Sequence, residues 1–535
     1  MPRRECRNRC RANFPHRVNC IVHLSTLRNI SLPPSPPESS GAPAEFVRTP
    51  TESPVAPPPG SDRALVHGIA WTAGAKWATQ IVTWGSTIVV ARLLTPDDYG
   101  LVGMAAVYLG LVALVSEFGI GSAIITLHDL SRESIEQLNG LSFMVGACMF
   151  LLSCAVAKPL AAFFHSPPLV SVVLVLSTSF VVGSFRSIPN ALLQRDLKFK
   201  EIAAIDSVKA IFGAVAAIIL AIYGLHYWAL VLSDVGGVFI ATLLTVLLRP
   251  RKLSIPRFAT IETAINFSRD VLVSRLSWFV YSNSDFLVAG RVLGRASLGA
   301  YDFAWTLINL PVEKVTAMIS GVAPAIFSSV QHDVSLLKRY VLGLTEGVSL
   351  VAFPFSVGAA LVSHDLIIGV FGEKWAPAIA PLRLLAAYTT IRSIMPILSP
   401  ALMVLRRTRF LMYYSITLAL IYPGVFYFAS RWGILGIASA WVVLYPLSAL
   451  PLWWLTFKLI STAREYFTSL RAATVSSVIM AGFVLAAMYF MPPEFPRLLK
   501  LGIEIATGAI AYSASVLLIF PERVQTFKRT IRGAF

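Results

Sequence analysis

This chain predicts an all-α integral membrane protein: about fourteen transmembrane helices, in two pseudo-symmetric six-helix lobes plus two extra C-terminal helices. Three observations predict it. Of 535 residues, 56% are hydrophobic and only 14% charged, whereas an ordinary soluble domain carries about 25% charged residues. Apolar runs recur that are long enough, at about 20 residues each, to cross a ~30 Å hydrocarbon core as helices. Short patterns in the first half of the apolar region return in the second half at nearly constant spacing.

Residues 1–62 stand apart, with Arg-, Pro- and Ser-rich stretches such as "SLPPSPPESSGAPAEF". Such composition buries no core, so a disordered cytoplasmic tail is expected. "NCIVHL" is too short for a secretory signal, and the proline run argues against an amphipathic targeting helix. Cys6, Cys10 and Cys20, with His16 and His23, match no metal-ligand spacing, and no metal or cofactor is expected. The other reading of this segment is an over-extended start. Met104, the next Met, lies inside an apolar run, so a shorter start near Val66 would use a non-Met codon.

The expected helices are 68–92, 99–118, 138–158, 169–189, 203–222, 227–248, 266–289, 298–320, 340–362, 380–404, 410–429, 434–457, 471–491 and 499–520. They divide into an N-terminal lobe (66–250), a C-terminal lobe (262–460), helices 13 and 14 (468–522) and a basic tail (523–535). Loops after even-numbered helices hold fifteen Lys and Arg, those after odd-numbered helices eight. Basic residues in short loops mark the cytoplasmic side, which puts both termini in the cytoplasm. The net charge of +17 is thereby explained without nucleic acid.

The repeat supports the two lobes. "ARLLTPDDYGLVGMA" (91–105) aligns with "GRVLGRASLGAYDFA" (290–304), pairing Arg92 with Arg291 and Gly100 with Gly299. Pro189 pairs with Pro400, Phe199 with Phe410, Gly224 with Gly433 and Ala229 with Ala438. A parallel repeat of six helices suggests a cavity between lobes that rock between two openings.

A charge inside the bilayer costs several kcal/mol unless it faces a cavity or a partner. Helices 7 and 8 are the most polar, with Arg269, Asp270, Arg275, Asn283, Asp285, Asp302, Glu313 and Lys314, and are expected to line the cavity. The functional reading is a cationic lumen. In it Lys76, Arg186, Arg275, Arg383 and Arg392, with Asn283, bind a pyrophosphate and sugar hydroxyls, because Arg pairs bidentately with phosphate oxygens. The bland reading has Arg269 and Arg392 snorkelling to headgroups, Glu313 and Lys314 at the cytoplasmic end of helix 8, and Asp234 and Asp302 paired with nearby bases. Asp285 and Asp302 also suit proton or cation coupling. Trp71, Tyr99, Trp228, Trp375, Trp432, Trp453 and Trp454 read as interface anchors, and Pro311, Pro354, Pro400 and Pro423 as helix kinks. The sequence lacks a phosphate-binding Gly-rich loop, HExxH and GxSxG, and its loops leave little room for a catalytic domain, which weakens an enzyme reading.

"LLTPDDYGLVGMA" (93–105), "SEFGIGSAIIT" (116–126), "SIPNALLQRDLKFKEIAAIDS" (187–207), "YGLHYWALV" (223–231), "NSDFLVAGRVLG" (283–294) and "SLGAYDFAWTLINLP" (297–311) together resemble the Wzx-type polysaccharide flippases. More narrowly they are similar to the WzxC-like branch of the multidrug/oligosaccharidyl-lipid/polysaccharide (MOP) exporter superfamily. The resemblance covers about 65–460. It implies a two-lobed fold in the bacterial inner membrane that moves undecaprenyl-pyrophosphate-linked oligosaccharide from the cytoplasmic to the periplasmic leaflet. The product would be exopolysaccharide, capsule or O-antigen lipopolysaccharide. The partners implied are the lipid-linked substrate, membrane lipids, and a polymerase and chain-length regulator. The "TPDDYG" turn reads as structural rather than substrate-binding. The competing readings are a lipid II or drug exporter of the same superfamily, a membrane polymerase or ligase, and a non-transporting scaffold.

Overall fold

The computed structural model describes residues 79–117, 124, 131–250, 252–256, 276–492 and 494–521. The N-terminal and C-terminal tails, the N-terminal cysteines, Trp71, Lys76, Arg269, Asp270 and Arg275 lie outside the described residues.

The helices are α1 (79–93), α2 (Pro96–Glu117), α3 (Arg132–Phe163), α4 (Leu169–Arg195), α5 (Phe199–Ile222), α6 (Tyr227–Leu248), α7 (276–288), α8 (Arg295–Ser329), α9 (Val334–Leu361), α10 (Ile379–Arg392), α11 (Thr408–Ala429), α12 (Gly433–Leu459), α13 (Ala463–Phe490) and α14 (Arg497–Ile519). A short helix, Leu398–Val404, extends α10. The described residues form no strand. Nine stretches among them are long and apolar enough to cross a membrane, the longest being α11 and α12 taken together. The chain is a multi-pass membrane protein. The expected count of fourteen is a different matter: α10 has only 14 residues, α8 is not among the nine, and α1 and α7 are described in part.

Besides an apolar core, the helices leave many large apolar side chains on the outside, where a soluble bundle carries polar ones. Only 22–39% of the most apolar window of each crossing stretch is buried, and Phe239, Leu247, Leu420, Val443, Ile510 and Leu518 are exposed. Those side chains face hydrocarbon, because a span satisfies its backbone internally and shows lipid its apolar surface. Inside, serines and threonines bond back to carbonyls three or four residues earlier, as Thr245 does to Ala241 (2.7 Å) and Thr456 to Leu452 (2.8 Å).

Helix starts follow local chemistry. Ser131 caps α3 through Ser134 N (3.1 Å). Asp333 caps α9 through Ser335 N (2.9 Å) and Leu336 N (3.1 Å). The hydrogen bond from the Ser335 hydroxyl, followed by that from Leu336 N, holds the Asp333 carboxyl below its ordinary pKa. Thr462 and Glu465 form a reciprocal capping box at α13.

The repeat is visible in the backbone. Positive-φ residues occur at His165 and Gly372, at Leu197 and Arg406, and at Gly224 and Gly433. These pairs lie 207, 209 and 209 positions apart, and the second matches bond for bond: Leu197 N and Arg406 N each bond a carbonyl three residues back, Lys198 N and Arg407 N one five residues back. One buried core joins α2, α4, α8, α10 and α12, with Leu101, Met104, Val172, Phe303, Leu385 and Ile437 at its centre. A second joins α8, α9, α12, α13 and the α10 extension.

Candidate functional site

A cavity of about 290 Å³ lies where α2 of the first half meets α7, α8, α10 and α12 of the second. Gly103, Ala106 and Val107 form one wall; Trp278, Tyr281, Ser282, Asn283 and Phe286 form another. Asp302, Trp305, Glu313, Tyr388, Arg392, Trp441 and Tyr445 complete it. The polar helices 7 and 8 therefore line the cavity, as their charge demands.

Arg392 is its base. The guanidinium donates to Asn309 Oδ1 (2.6 Å) and Glu313 Oε1 (3.0 Å) and sits 5.7 Å from the Trp305 ring centroid. It does not snorkel to headgroups. Nor does Glu313 end its helix: α8 runs on to Ser329, which leaves Glu313 midway along and facing Arg392. Asn283 bonds Phe279 O (3.0 Å) and Ser282 Oγ (3.2 Å) from the cavity wall. Asp302 lines the cavity and has no partner among the described residues. Among the described lining residues Arg392 is the cation, Asp302 and Glu313 are the carboxylates, and the rest is largely aromatic; Lys76 and Arg275, expected beside Arg392, lie outside the described residues.

Asp285 is fully buried behind that lining. Its Oδ2 accepts from Tyr301 Oη (2.7 Å) and Trp441 Nε1 (2.8 Å), while Oδ1 has no hydrogen-bond partner among the described residues. Trp441 packs at a tilt against Tyr388 (4.7 Å between centroids), Phe426 (5.0 Å) and Tyr422 (5.1 Å). The carboxylate is thus clamped in an aromatic block that continues into the cavity through Trp305 and Tyr445.

Two other expected bases lie elsewhere. Arg186 pairs with Asp206 (2.7 Å) between α4 and α5. Arg383 donates to Ser363 Oγ (2.8 Å) and lines a separate recess with Trp432 and Ser439. A further polar pocket of about 310 Å³ between α1, α5 and α6 holds Asp206, Lys209 and Asp234. Sequence reasoning passed over Asp206 and Lys209, although two charges inside span 203–222 were the signal.

Gly103 is the first α2 residue and Asp302 the first α8 residue to line the cavity, so the α1–α2 and α7–α8 turns lie outside its lining. The "TPDDYG" turn is structural here. Asp98, 7% exposed, accepts from Thr95 N (2.9 Å), Thr95 Oγ1 (2.7 Å) and, across to α6, Tyr227 N (3.1 Å). Trp375, expected at the membrane interface, is instead wholly buried, stacked on Phe303 (3.9 Å) and edge-on to Tyr99 (5.2 Å). Its neighbour Lys374 donates to Arg92 O (2.6 Å), and burial lowers the Lys374 pKa despite the opposing charge of Asp98. Trp432 and Trp454 are exposed, as anchors should be.

The family model described as "Polysaccharide biosynthesis protein" matches residues 89–380, more than half of the chain. The chain belongs to the polysaccharide biosynthesis protein family. The matched region holds the α2, α7 and α8 walls of the cavity; Arg392, Trp441 and Tyr445 come after it. Relatives of this family member include the teichuronic acid biosynthesis protein TuaB of Bacillus subtilis, 25% identical over 87% of this chain and 97% of TuaB. The lipopolysaccharide biosynthesis protein WzxC of Escherichia coli is 28% identical over 60% of this chain and 67% of WzxC. The succinoglycan biosynthesis transport protein ExoT of Rhizobium meliloti is 22% identical over 85% and 93%. Among solved structures, the lipid II flippase MurJ in an inward closed conformation superposes with a TM-score of 0.71 at 14% identity, covering 85% of this chain and all of MurJ. At that identity the likeness is one of fold.

Proposed function

We propose that this protein flips undecaprenyl-pyrophosphate-linked oligosaccharide repeat units from the cytoplasmic to the periplasmic leaflet of the bacterial inner membrane, by alternating access. The units would feed exopolysaccharide, capsule or O-antigen synthesis. It is a transporter, not an enzyme. The observation that carries the reading is a polar, aromatic-walled cavity with one guanidinium, at the junction of two repeated halves, in a polysaccharide biosynthesis protein. A relative named as a transport protein over nearly its whole length supports it.

Arg392 is the base we assign to the pyrophosphate, since its planar fork matches phosphate oxygens. Lys76 and Arg275 are its proposed companions, Asn283 a donor to sugar hydroxyls, and Asp302 or Asp285 the proton- or ion-coupling carboxylate. Arg186 and Arg383, bonded elsewhere, are weaker candidates. The loop charges support cytoplasmic termini, the repeat supports lobes at 66–250 and 262–460 with 468–522 added, and the pathway supports a polymerase and chain-length regulator as partners.

The test is deletion of the gene in its host, followed by leaflet-resolved labelling of the lipid-linked repeat unit in intact and opened spheroplasts. The unit is expected to accumulate in the cytoplasmic leaflet, with rescue by the wild type and not by Arg392→Ala. A unit that reaches the periplasmic leaflet normally, in a host with no second flippase, overturns the reading.

A further inference from the structure

We propose that one end of the cavity is sealed by a reciprocal clasp, built from positions the repeat relates, that opens as a single unit with Gly100 and Gly299 as its contact point. This rests on the transporter reading, since only a protein that alternates its openings needs such a seal.

Gly100 and Gly299 are equivalent, 199 positions apart, and so are Pro96 and Arg295. A Cβ on Gly100 would lie 1.8 Å from the Arg295 carbonyl oxygen; a Cβ on Gly299 would lie 1.8 Å from the Pro96 carbonyl oxygen. Each glycine therefore meets the carbonyl four residues before the other, and the first turns of α2 and α8 cross backbone to backbone. Neither can take a methyl group without a backbone shift. The Asp97–Arg295 ion pair (3.3 Å) ties the same two turns.

Two arms, again 199 positions apart, hold the crossing. Arg92 leaves the end of α1 and donates to the Val370 and Gly369 (2.9 Å) carbonyls. These belong to the wide turn Ile367–Phe371 of the second half. Arg291 leaves the wide turn Ala289–Leu293, bonds His165 and sits 5.1 Å from the Phe163 ring centroid, at the end of α3 in the first half. Each arm crosses to the other half. The first is reinforced by Lys374 on Arg92 O and by Trp375 Nε1 on Ala91 O (2.8 Å).

The cavity begins one turn further in, at Gly103 and Asp302, also 199 apart. A rise of about 1.5 Å per residue puts them ~4.5 Å from the glycines along their helices. Passage past this end requires α2 to part from α8. Both glycine contacts lie on that one pair of helices, so neither releases while the other holds. Packed interfaces of this kind have two states, not a continuum. The loop charges place the clasp on the outer face.

The test uses full-length protein with its five cysteines replaced and Ala106→Cys in the cavity wall as reporter. A membrane-impermeant maleimide is applied to intact spheroplasts and to inside-out vesicles. Gly100→Ala and Gly299→Ala are each expected to raise labelling from the outer face by about tenfold or more. The double substitution should add nothing further, because one opened unit cannot open twice. Should the alanine variants fail to insert, Asp97→Arg is expected to raise outer labelling and Asp97→Arg/Arg295→Asp to restore it. Unchanged outer labelling, increments that add, a swap that fails to restore, or labelling that rises from the inner face overturns the clasp. Labelling reads the seal without any substrate, so it is independent of whether a repeat unit is transported.

Discussion

Arg392 gives the sharpest test of the site, because its role as a phosphate holder and its role as a structural brace predict different outcomes. Arg392→Ala removes a 2.6 Å bond to Asn309 and a 3.0 Å bond to Glu313. Asn309 Oδ1 keeps one donor, Thr389 Oγ1 at 3.3 Å, while Glu313 Oε1 keeps none of these. A hydrogen bond involving a charged group contributes about 1.5–3 kcal/mol. The Glu313 side chain is 48% exposed, so its share falls toward about 1 kcal/mol. The ring contact with Trp305 adds about 0.5 kcal/mol. The truncation should therefore destabilise by about 3 kcal/mol, and Arg392→Lys, which keeps the charge without the fork, by roughly half that. Glu313→Gln should cost about 1 kcal/mol or less. Melting in nanodiscs measures these losses; surface polysaccharide at matched protein level measures export. A phosphate holder predicts export abolished in Arg392→Ala, partly kept in Arg392→Lys and close to normal in Glu313→Gln. Wild-type export by Arg392→Ala refutes the role outright. Equal defects in Arg392→Ala and Glu313→Gln leave Arg392 as a brace only.

Trp441→Phe removes the indole donor from Asp285 and should lower stability by about 2–3 kcal/mol; adding Asp285→Asn, which takes away the buried charge, should recover part of it in a double-mutant melting cycle. Asp98→Ala leaves Thr95 N and Tyr227 N without their acceptor and should cost about 2 kcal/mol in the same melt, since it unties α2 from α6. Arg383→Ala should leave export near wild type and lose about 1 kcal/mol of stability, because its contact is with Ser363 and not with the cavity; loss of export at normal protein level would return it to the substrate path.

Helices and the repeat were legible because both rest on local or periodic properties. The apolar runs fixed most spans to within a few residues, and the 199-residue offset of Arg92/Arg291 and Gly100/Gly299 reappears as crossed contacts. The polarity of helices 7 and 8 identified the lining. Which base faces the cavity was not legible, since a charged residue within a span meets its neighbour only through tertiary packing. Arg186 found Asp206 on α5 and Arg383 found Ser363, partners no spacing rule supplies. Trp375 misled because an aromatic near a span end looks the same whether it anchors in headgroups or fills a closed seam. Glu313 misled because α8 outruns its apolar stretch, carried on by packing against α9 and the α10 extension.

The left-handed turn residues show corners placed alike in the two halves and filled by different side chains. At the turn after α3 the first half has His165 where the second has Gly372, and at the turn after α4 Leu197 stands opposite Arg406. Three of these four are residues for which such a backbone is costly, by about 1–2 kcal/mol each. Leu197 and Arg406 bear one bend with unlike side chains, so that corner is held by the helices it joins and not by the residue at its tip.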